Sequence, residues 1–177
     1  MTYVVAALVV TNVLTLLNLL LLFGVIRRLR EYPAQLAAGL PGPSLLPAGT
    51  QVEAFATTDA DGRPVHREEL PEGTVVGFFS PGCAPCEALL PKFVTHAAGM
   101  PGGRESAVAV VTGTPEDVSN YVTQLSPVAR VVIEEPAGGV VVRAFEVSAY
   151  PAVFQLDGDG RVLASAASLE RLVLSAA

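Results

Sequence analysis

The sequence predicts an α/β domain that follows a single N-terminal membrane-spanning helix. Residues 74–79 form an apolar run rich in β-branched and aromatic side chains, which is typical of a buried strand. Residues 87–98 carry apolar side chains at helical spacing, so a helix is expected a few residues after that strand. Near the start of the chain, residues 3–26 contain no charged side chain, which indicates the spanning helix.

Residues 3–26 are long enough to cross a bilayer. At 1.5 Å per residue they would extend about 36 Å, against a hydrocarbon core of about 30 Å. A cleaved signal peptide would start with basic residues and have a shorter apolar region, whereas no Lys or Arg precedes this one. We therefore expect an uncleaved anchor that attaches the protein to the cell membrane in a single pass. Residues 1–30 are assigned to this anchor and its basic flank.

A spacer and an acidic domain follow the anchor. Residues 31–50 are rich in Pro and Gly and are interpreted as a mobile linker, and residues 51–177 as the folded domain. From residue 33 onward the chain has eight basic and sixteen acidic side chains. An acidic domain without a basic stripe argues against nucleic-acid binding, and its charge is interpreted as an aid to solubility.

The domain alternates short strands and helices after an initial hairpin. The hairpin is expected over residues 53–70, with its turn at residues 59–62. A helix is expected from Pro115 to about Leu125, because Thr114 can cap it and Pro115 suits its first position. The other expected elements are strands over 106–112 and 128–133, a helical turn over 139–144, a hairpin with strands over 152–156 and 162–164, and a helix over 168–175.

The two cysteines of the chain, Cys83 and Cys86, lie where the first buried strand ends and a helix begins. At a helix start, residues three apart share a face, with Cβ atoms about 5–6 Å apart, so the sulfurs can form and break a disulfide with little backbone movement. The free N–H groups and positive dipole end of the helix favour a thiolate there. Cys83, at the turn, is expected to attack, and Cys86 to resolve. Pro85 suits the first helical turn because it has no N–H to satisfy.

The cysteine pair has two alternative interpretations. A purely structural disulfide would close a very small loop and would remove little entropy from the unfolded chain. A zinc site would need four ligands, usually with a second Cys or His pair, and there is no third cysteine. A redox-active pair is therefore the preferred interpretation.

The residues around the cysteines, together with one distal proline, resemble the thioredoxin superfamily. The matching features are the strand, the Cys83-Ala84-Pro85-Cys86 turn, the helix containing Pro91, and residues 149–154, which occupy the place of the family's cis-proline. Within the superfamily, the chain is most similar to membrane-anchored proteins of the TlpA type and to the methylamine-utilisation protein MauD, whose Ser-Pro-x-Cys lead-in is found here at residues 80–83. The resemblance covers roughly residues 50–177.

The resemblance implies a thioredoxin-like fold, with a central mixed sheet flanked by helices and an N-terminal β-hairpin extension. It also implies that the Tyr150–Pro151 peptide is cis, for which the sequence alone gives little support because only about 5–6% of X-Pro bonds are cis. A cis bond would turn the backbone of Tyr150 toward the sulfurs, where it could pair with an extended substrate chain. Tyr150, Pro151, Gly82 and Pro85 are therefore the expected substrate-binding residues.

Two positions depart from the pattern of the superfamily. The tryptophan that usually precedes the first cysteine is Gly82 here, and the buried acid of thioredoxin, six residues before the first cysteine, falls on Gly77. A proton relay through that acid is therefore not carried over to this chain, and neither is a redox potential.

These features predict a thiol–disulfide oxidoreductase that acts on cysteine-containing proteins and exchanges electrons with an unidentified redox partner. Apart from the redox-active Cys83–Cys86 disulfide, no cofactor and no metal are expected. The direction of electron flow stays open. The alternative from another class is a non-catalytic copper carrier or binding module that uses the same thiols. Copper chaperones with this fold use a distal His, which is absent from the half of the chain that contains Pro151.

Two arguments about the side of the membrane disagree. Arg27, Arg28 and Arg30 follow the apolar stretch and no basic residue precedes it, so the positive-inside rule places the domain in the cytoplasm. Relatives of the TlpA and MauD types act outside the cytoplasm, where protein disulfides persist. We weigh the resemblance slightly above the charge count and expect an extracytoplasmic domain.

Overall fold

The computed structural model describes Tyr3, residues 12–16, Asn18, residues 45–135 and residues 138–175 of the chain. The chain separates into two compact units, Met1–Gly42 and Pro43–Ala177. Within the described residues, no helix combines the length and the apolar character that crossing a bilayer requires. The anchor expected over residues 3–26 falls mostly outside the residues described. All elements named below belong to the second unit.

The second unit begins with the expected hairpin and continues into a five-stranded mixed sheet. The hairpin consists of β1 (Ala56–Thr58) and β2 (Pro64–His66), paired antiparallel. The sheet has the order β5-β4-β3-β6-β7, in which β3 pairs parallel with β4 and antiparallel with β6. Its strands are β3 (Val75–Phe79), β4 (Ala107–Thr112), β5 (Arg130–Glu134), β6 (Ala152–Leu156) and β7 (Val162–Ala166). The expected α/β class with a mixed sheet is confirmed.

The helices agree with the sequence pattern to within a few residues. They are α1 (Ala84–Ala98), α2 (Pro115–Leu125), α3 (Val140–Ala144) and α4 (Leu169–Ser175), with short 3₁₀ turns at Arg67–Glu69 and Gly103–Ser106. The strand expected from residue 128 begins at Arg130, because the backbone N–H groups of Val128 and Ala129 both donate to the Leu125 carbonyl and close the end of α2.

The sheet separates two apolar layers. On one face, Phe79 packs with side chains from α1, α2 and α4, including Phe93 and Tyr121. On the other face, Phe78 packs with Phe145 and with the hairpin. Every residue of β3 is buried, because this strand is covered on both faces, and this explains its continuous apolar run in the sequence.

The linker expected to extend to residue 50 ends earlier. Residues 45–50 belong to the packed domain, since Leu46 is buried and Ser165 Oγ donates to the Leu46 carbonyl at 2.8 Å. Gly49 N donates to the Val162 carbonyl at 2.7 Å, and Val162 N donates to the Thr50 carbonyl at 2.9 Å. The expectation of a mobile spacer was wrong for these residues, because their backbone groups pair with the outer edge of β7, which would otherwise be exposed.

A buried ion pair attaches the hairpin turn to the sheet. Asp59 is buried and lies 3.5 Å from Arg130 Nε, while its Oδ1 accepts hydrogen bonds from the backbone N–H groups of Asp61 and Arg63. Burial opposes ionisation, but these two hydrogen bonds and the charge of Arg130 outweigh it and hold the pKa of Asp59 below its usual value. Ala60 N also donates to the Val131 carbonyl of β5 at 2.7 Å, so the turn covers this edge of the sheet.

The variant Asp59→Asn should lower the free energy of unfolding at pH 7 by about 3 kcal/mol, because it removes the buried counter-charge of Arg130 and leaves only the exposed Glu105, 3.7 Å away. Since the pKa of Asp59 is lower in the folded than in the unfolded chain, the wild-type advantage is complete above about pH 4. This stability advantage should decline as the pH falls through the pKa of Asp59 in the folded protein. Urea denaturation of both proteins over pH 2–7 measures this difference.

Asp61→Asn is the matched control in the same turn. The Asp61 side chain is 42% exposed, lies 3.7 Å from Arg63 and forms an ion pair with Arg104, whose side chain is 22% exposed. Because solvent reaches the Asp61 carboxylate, loss of its charge should cost about 1 kcal/mol or less. Equal effects of the two variants, or a gap between Asp59→Asn and wild type that stays constant down to pH 2, would contradict a stabilising buried pair.

Candidate active site

Cys83 and Cys86 lie at the first turn of α1 and are joined by a disulfide. Their Cα atoms are 5.2 Å apart, within the range of about 4.4–6.8 Å that disulfides adopt. Cys83 is the N-cap residue, and its Sγ accepts a hydrogen bond from Cys86 N at 3.3 Å. Cys83 is partly exposed and Cys86 is fully buried. Only one of the two sulfurs is therefore open to a partner molecule.

The turn before Cys83 depends on a glycine. Gly82 has φ +74°, a left-handed conformation that side chains with a Cβ rarely adopt. A Cβ built there would have no atom within 4 Å, so the flank of Cys83 is open space in this direction. Gly82 and Pro85 are both exposed beside the disulfide, where the sequence placed a substrate-binding surface.

The peptide before the distal proline lies beside Cys83, as the family resemblance implied. The Tyr150–Pro151 peptide is cis, and the carbonyl oxygen of Tyr150 lies 3.7 Å from Cys83 Sγ. A reduced thiol at this position could donate a hydrogen bond to that oxygen. The pairing of Phe78 with Ala152 brings the start of β6 beside the end of β3, and this register joins two parts of the chain that are far apart in sequence.

Gly77 occupies the position of the missing acid, and the structure has no room there for a side chain. A Cβ at this residue would lie 2.5 Å from Phe93 Cε2 and 3.0 Å from Phe79 Cε2. The two rings pack edge to face, with centroids 5.3 Å apart. The space that an acid would need is therefore filled by an aromatic pair.

Tyr121 is a buried polar group in this layer that the sequence did not single out. Burial raises the pKa of its phenol, and the negative charge of Glu87 raises it further. Its hydroxyl has no hydrogen-bond partner among the described residues. In the sequence, Tyr121 lies on the apolar face of α2 and gives no sign of a polar role. Over residues 45–135, 138–175 and the few others that the structure describes, no three His, Cys, Asp or Glu side chains lie close enough together to hold a metal ion.

Several solved structures are similar to this chain. The thioredoxin domain of a thiol-disulfide oxidoreductase from Bacteroides vulgatus is similar with a TM-score of 0.60 and 17% identity, over 73% of this chain and 95% of that one. A thio-disulfide isomerase from Thermus thermophilus gives a TM-score of 0.57 and 23% identity, over 75% and 99%. The chain has a thioredoxin-like fold. This confirms the fold that the resemblance implied.

Curated proteins give a sequence match of the same kind. The thiol-disulfide oxidoreductases ResA of Bacillus thuringiensis and of Bacillus cereus are each 25% identical over 120 residues, which are 65% of this chain. The match spans 66% of the length of those proteins, just under two thirds. No protein-family model matches the chain. The names of these relatives agree with the oxidoreductase class that the sequence predicted.

The variant Gly77→Ala should lower the free energy of unfolding by about 1–3 kcal/mol, because its methyl group would overpack the rings of Phe93 and Phe79. The same change in a Phe93→Leu background should cost less, since the ring that blocks the Cβ is then gone. Urea denaturation of the four proteins of this double-mutant cycle measures the coupling.

Gly99→Ala is the matched control. Gly99 has a right-handed conformation at the end of α1, and a Cβ there would come no closer than 3.5 Å to another atom. This variant should be within about 0.5 kcal/mol of wild type. If Gly77→Ala lowered the free energy of unfolding equally in the wild-type and Phe93→Leu backgrounds, the ring of Phe93 would not be what excludes a side chain at residue 77.

Proposed function

We propose that the protein is a membrane-tethered thiol–disulfide oxidoreductase that exchanges disulfides with cysteine-containing proteins through Cys83 and Cys86. One observation carries the proposal: a partly exposed sulfur caps a helix, forms a disulfide with a buried sulfur, and lies 3.7 Å from the Tyr150 carbonyl. The curated relatives, which are named thiol-disulfide oxidoreductases, support the same activity.

The geometry supports different roles for the two thiols. In the reduced protein, Cys86 N–H and the N-terminus of α1 would stabilise a thiolate on Cys83 and so make it the nucleophile. Cys86 is buried one turn inside the helix, where an external disulfide cannot reach it. It is close enough to attack Cys83 Sγ, and resolution is therefore its role.

Exchange proceeds in two balanced steps. The Cys83 thiolate attacks one sulfur of a substrate disulfide, forming a mixed disulfide and releasing the other substrate sulfur as a thiolate that takes a proton. The Cys86 thiolate then attacks Cys83 Sγ, which forms the Cys83–Cys86 disulfide and releases the second substrate thiolate. The substrate gains two electrons and two protons, and the protein loses the same. The reverse sequence oxidises a dithiol substrate.

The surface beside Cys83 is suited to an extended substrate chain. Partly exposed Tyr150 places its carbonyl 3.7 Å from Cys83 Sγ, and the buried Pro151 orients that backbone through the cis peptide. Gly82 and Pro85 are exposed beside the disulfide. Because Gly82 leaves open space, a substrate could approach Cys83 from that side without steric hindrance. We propose that these four residues bind substrate, and that a separate redox partner, of the class of thiol–disulfide proteins, restores the dithiol or the disulfide.

The variant Cys83→Ser should reduce insulin disulfides in the presence of dithiothreitol no faster than the uncatalysed reaction. Cys86→Ser should keep the nucleophile and accumulate mixed disulfides, because nothing resolves them. Turbidity of precipitating insulin measures turnover, and non-reducing gels with mass spectrometry detect the trapped adducts.

Alkylation of the reduced wild type supplies the control for these roles. Iodoacetamide at pH 7 should modify Cys83 well before Cys86, because only the thiolate reacts and Cys86 is buried. Faster modification of Cys86 would reverse the assignment. Copper retained through dialysis by a wild type that does not reduce insulin would instead favour a copper carrier.

We propose an extracytoplasmic domain, attached to the cell membrane through residues 3–26, in a protein of the TlpA or MauD type. Alkaline phosphatase fused after Ala177 should be active, and green fluorescent protein fused at the same position should be dark. Removal of residues 1–30 is the control, because it should release the phosphatase fusion from the membrane fraction and leave it inactive. A fluorescent fusion with inactive phosphatase would mean that Arg27, Arg28 and Arg30 set the orientation.

A further inference from the structure

Glu134 is a buried acid that the exchange chemistry does not use. It is the last residue of β5 and is 6% exposed. Its carboxylate accepts two hydrogen bonds from the first turn of α3, from Val141 N at 2.7 Å and from Val142 N at 2.9 Å. No basic side chain among the described residues forms an ion pair with it. These N–H groups therefore hold the charge, and an apolar side chain of the same size would leave them unsatisfied.

The backbone of Glu134 holds the loop on one side of the disulfide. Its carbonyl oxygen accepts a hydrogen bond from Gly113 N at 3.0 Å, and Gly113 directly follows β4. Gly113 is a neighbour of both α2 and the cysteine turn, because a Cβ built there would lie 3.0 Å from Val118 Cγ1 and 3.4 Å from Pro81 Cγ. The backbone of Glu134 therefore bonds to a loop that lies beside the turn carrying Cys83.

The side chain of Glu134 holds the segment on the other side. Val142, which donates to the carboxylate, in turn accepts a hydrogen bond from Val147 N at 3.0 Å through its carbonyl. Between them, Glu146 has φ +50° and turns the chain out of α3. Three residues after Val147, the carbonyl of Tyr150 lies 3.7 Å from Cys83 Sγ. Two consecutive hydrogen bonds therefore connect the Glu134 carboxylate to the segment that carries Tyr150.

Apolar packing holds both ends of this short helix. Phe145, which ends α3, packs on Phe78 and Phe154 with ring centroids 5.2 and 5.0 Å away, and Val141 and Val142 in its first turn are buried in the same layer. The Glu134 carboxylate adds two hydrogen bonds to the backbone of that first turn. Gly139 leaves the space for it, because a Cβ at Gly139 would collide with the carboxylate group. The orientation of α3 depends on the contacts at both of its ends. The distance from the Tyr150 carbonyl to Cys83 Sγ therefore depends on them as well.

We propose that Glu134 is a positioning residue for disulfide exchange with protein substrates, because it sets the spacing between the Cys83 turn and the backbone of Tyr150. This inference rests on the proposed function. A residue in this role should affect the docking of an extended polypeptide next to Tyr150. It should have little effect on the intrinsic reactivity of the Cys83–Cys86 disulfide toward a small thiol, which needs no polypeptide-binding surface.

The test uses Glu134→Gln and Gly139→Ala, with Glu135→Gln as the matched control. Glu134→Gln keeps the size of the side chain but presents an NH₂ group to one of the two N–H donors. Gly139→Ala displaces the carboxylate without removing it, and its extended backbone, with φ −69°, accepts alanine, so it also serves if Glu134→Gln does not fold. Glu135 is the exposed neighbour, and its change removes the same charge from the surface.

Two kinetic constants separate positioning from general destabilisation. At a temperature well below the unfolding midpoint of each variant, the KM for insulin reduction should rise about tenfold in both test variants. This is the loss expected for one charge-assisted hydrogen bond. The rate constant for reduction of the Cys83–Cys86 disulfide by dithiothreitol should stay within twofold of wild type. Glu135→Gln should match wild type in both. The proposal would be overturned by an unchanged KM for insulin. It would also be overturned by a fall in the dithiothreitol rate constant as large as the rise in KM.

Hydrogen exchange tests the same inference without any activity. In the oxidised variants, the amide of Val147, which donates to the Val142 carbonyl, should exchange about tenfold faster than in wild type, while the amides of β3 should not change. Unchanged exchange at Val147 would overturn the positioning role. If wild-type protein fails to reduce insulin while the Val147 amide responds as expected, the proposed function fails and the connection from Glu134 to the segment that carries Tyr150 stands.

Discussion

The complete burial of β3 is the constraint on which the rest of the structure depends. The strand Val75–Phe79 is covered on both faces, so it needs two apolar layers and a neighbouring strand on each side. Phe79 points into the layer of α1 and α2, and Phe78 into the layer of α3 and the hairpin. The strand ends directly before the turn that carries Cys83. Packing of the core therefore also fixes where the reactive sulfur lies.

The same constraint decides what lies beneath the disulfide. Because Phe93 and Phe79 fill the space next to Gly77, the interior on this side has no carboxylate at the position where thioredoxin has one. The buried Tyr121 hydroxyl is unpaired among the described residues and its pKa is raised, so it is a poor proton acceptor near neutral pH. In the proposed exchange, deprotonation of Cys86 therefore cannot run through a buried acid at that position.

The site is assembled from three separate parts of the chain. Helix capping by Cys83 is local, but the contact with Tyr150 depends on the pairing of β3 with β6, some seventy residues further along the sequence. Glu134 adds a third part, since it joins the loop after β4 to α3 through its backbone and its side chain. Five aromatic rings pack around Phe145 and Phe79 in the two apolar layers of the sheet. The disulfide lies where the three parts of the chain meet.

The sequence by itself determined the features that depend on local pattern and chemistry. The apolar run before Cys83, the helical repeat after Cys86 and the cap at Thr114 each specify an element through neighbouring residues, and the structure has all three. The cis peptide before Pro151 could be expected only through the family resemblance. Tertiary structure alone decided that residues 45–50 pair with β7, because a Pro- and Gly-rich segment does not show which strand edge is left open. It also decided the roles of Gly77 and Glu134, since the space beside a glycine and the partners of a buried acid come from residues that are remote in the sequence.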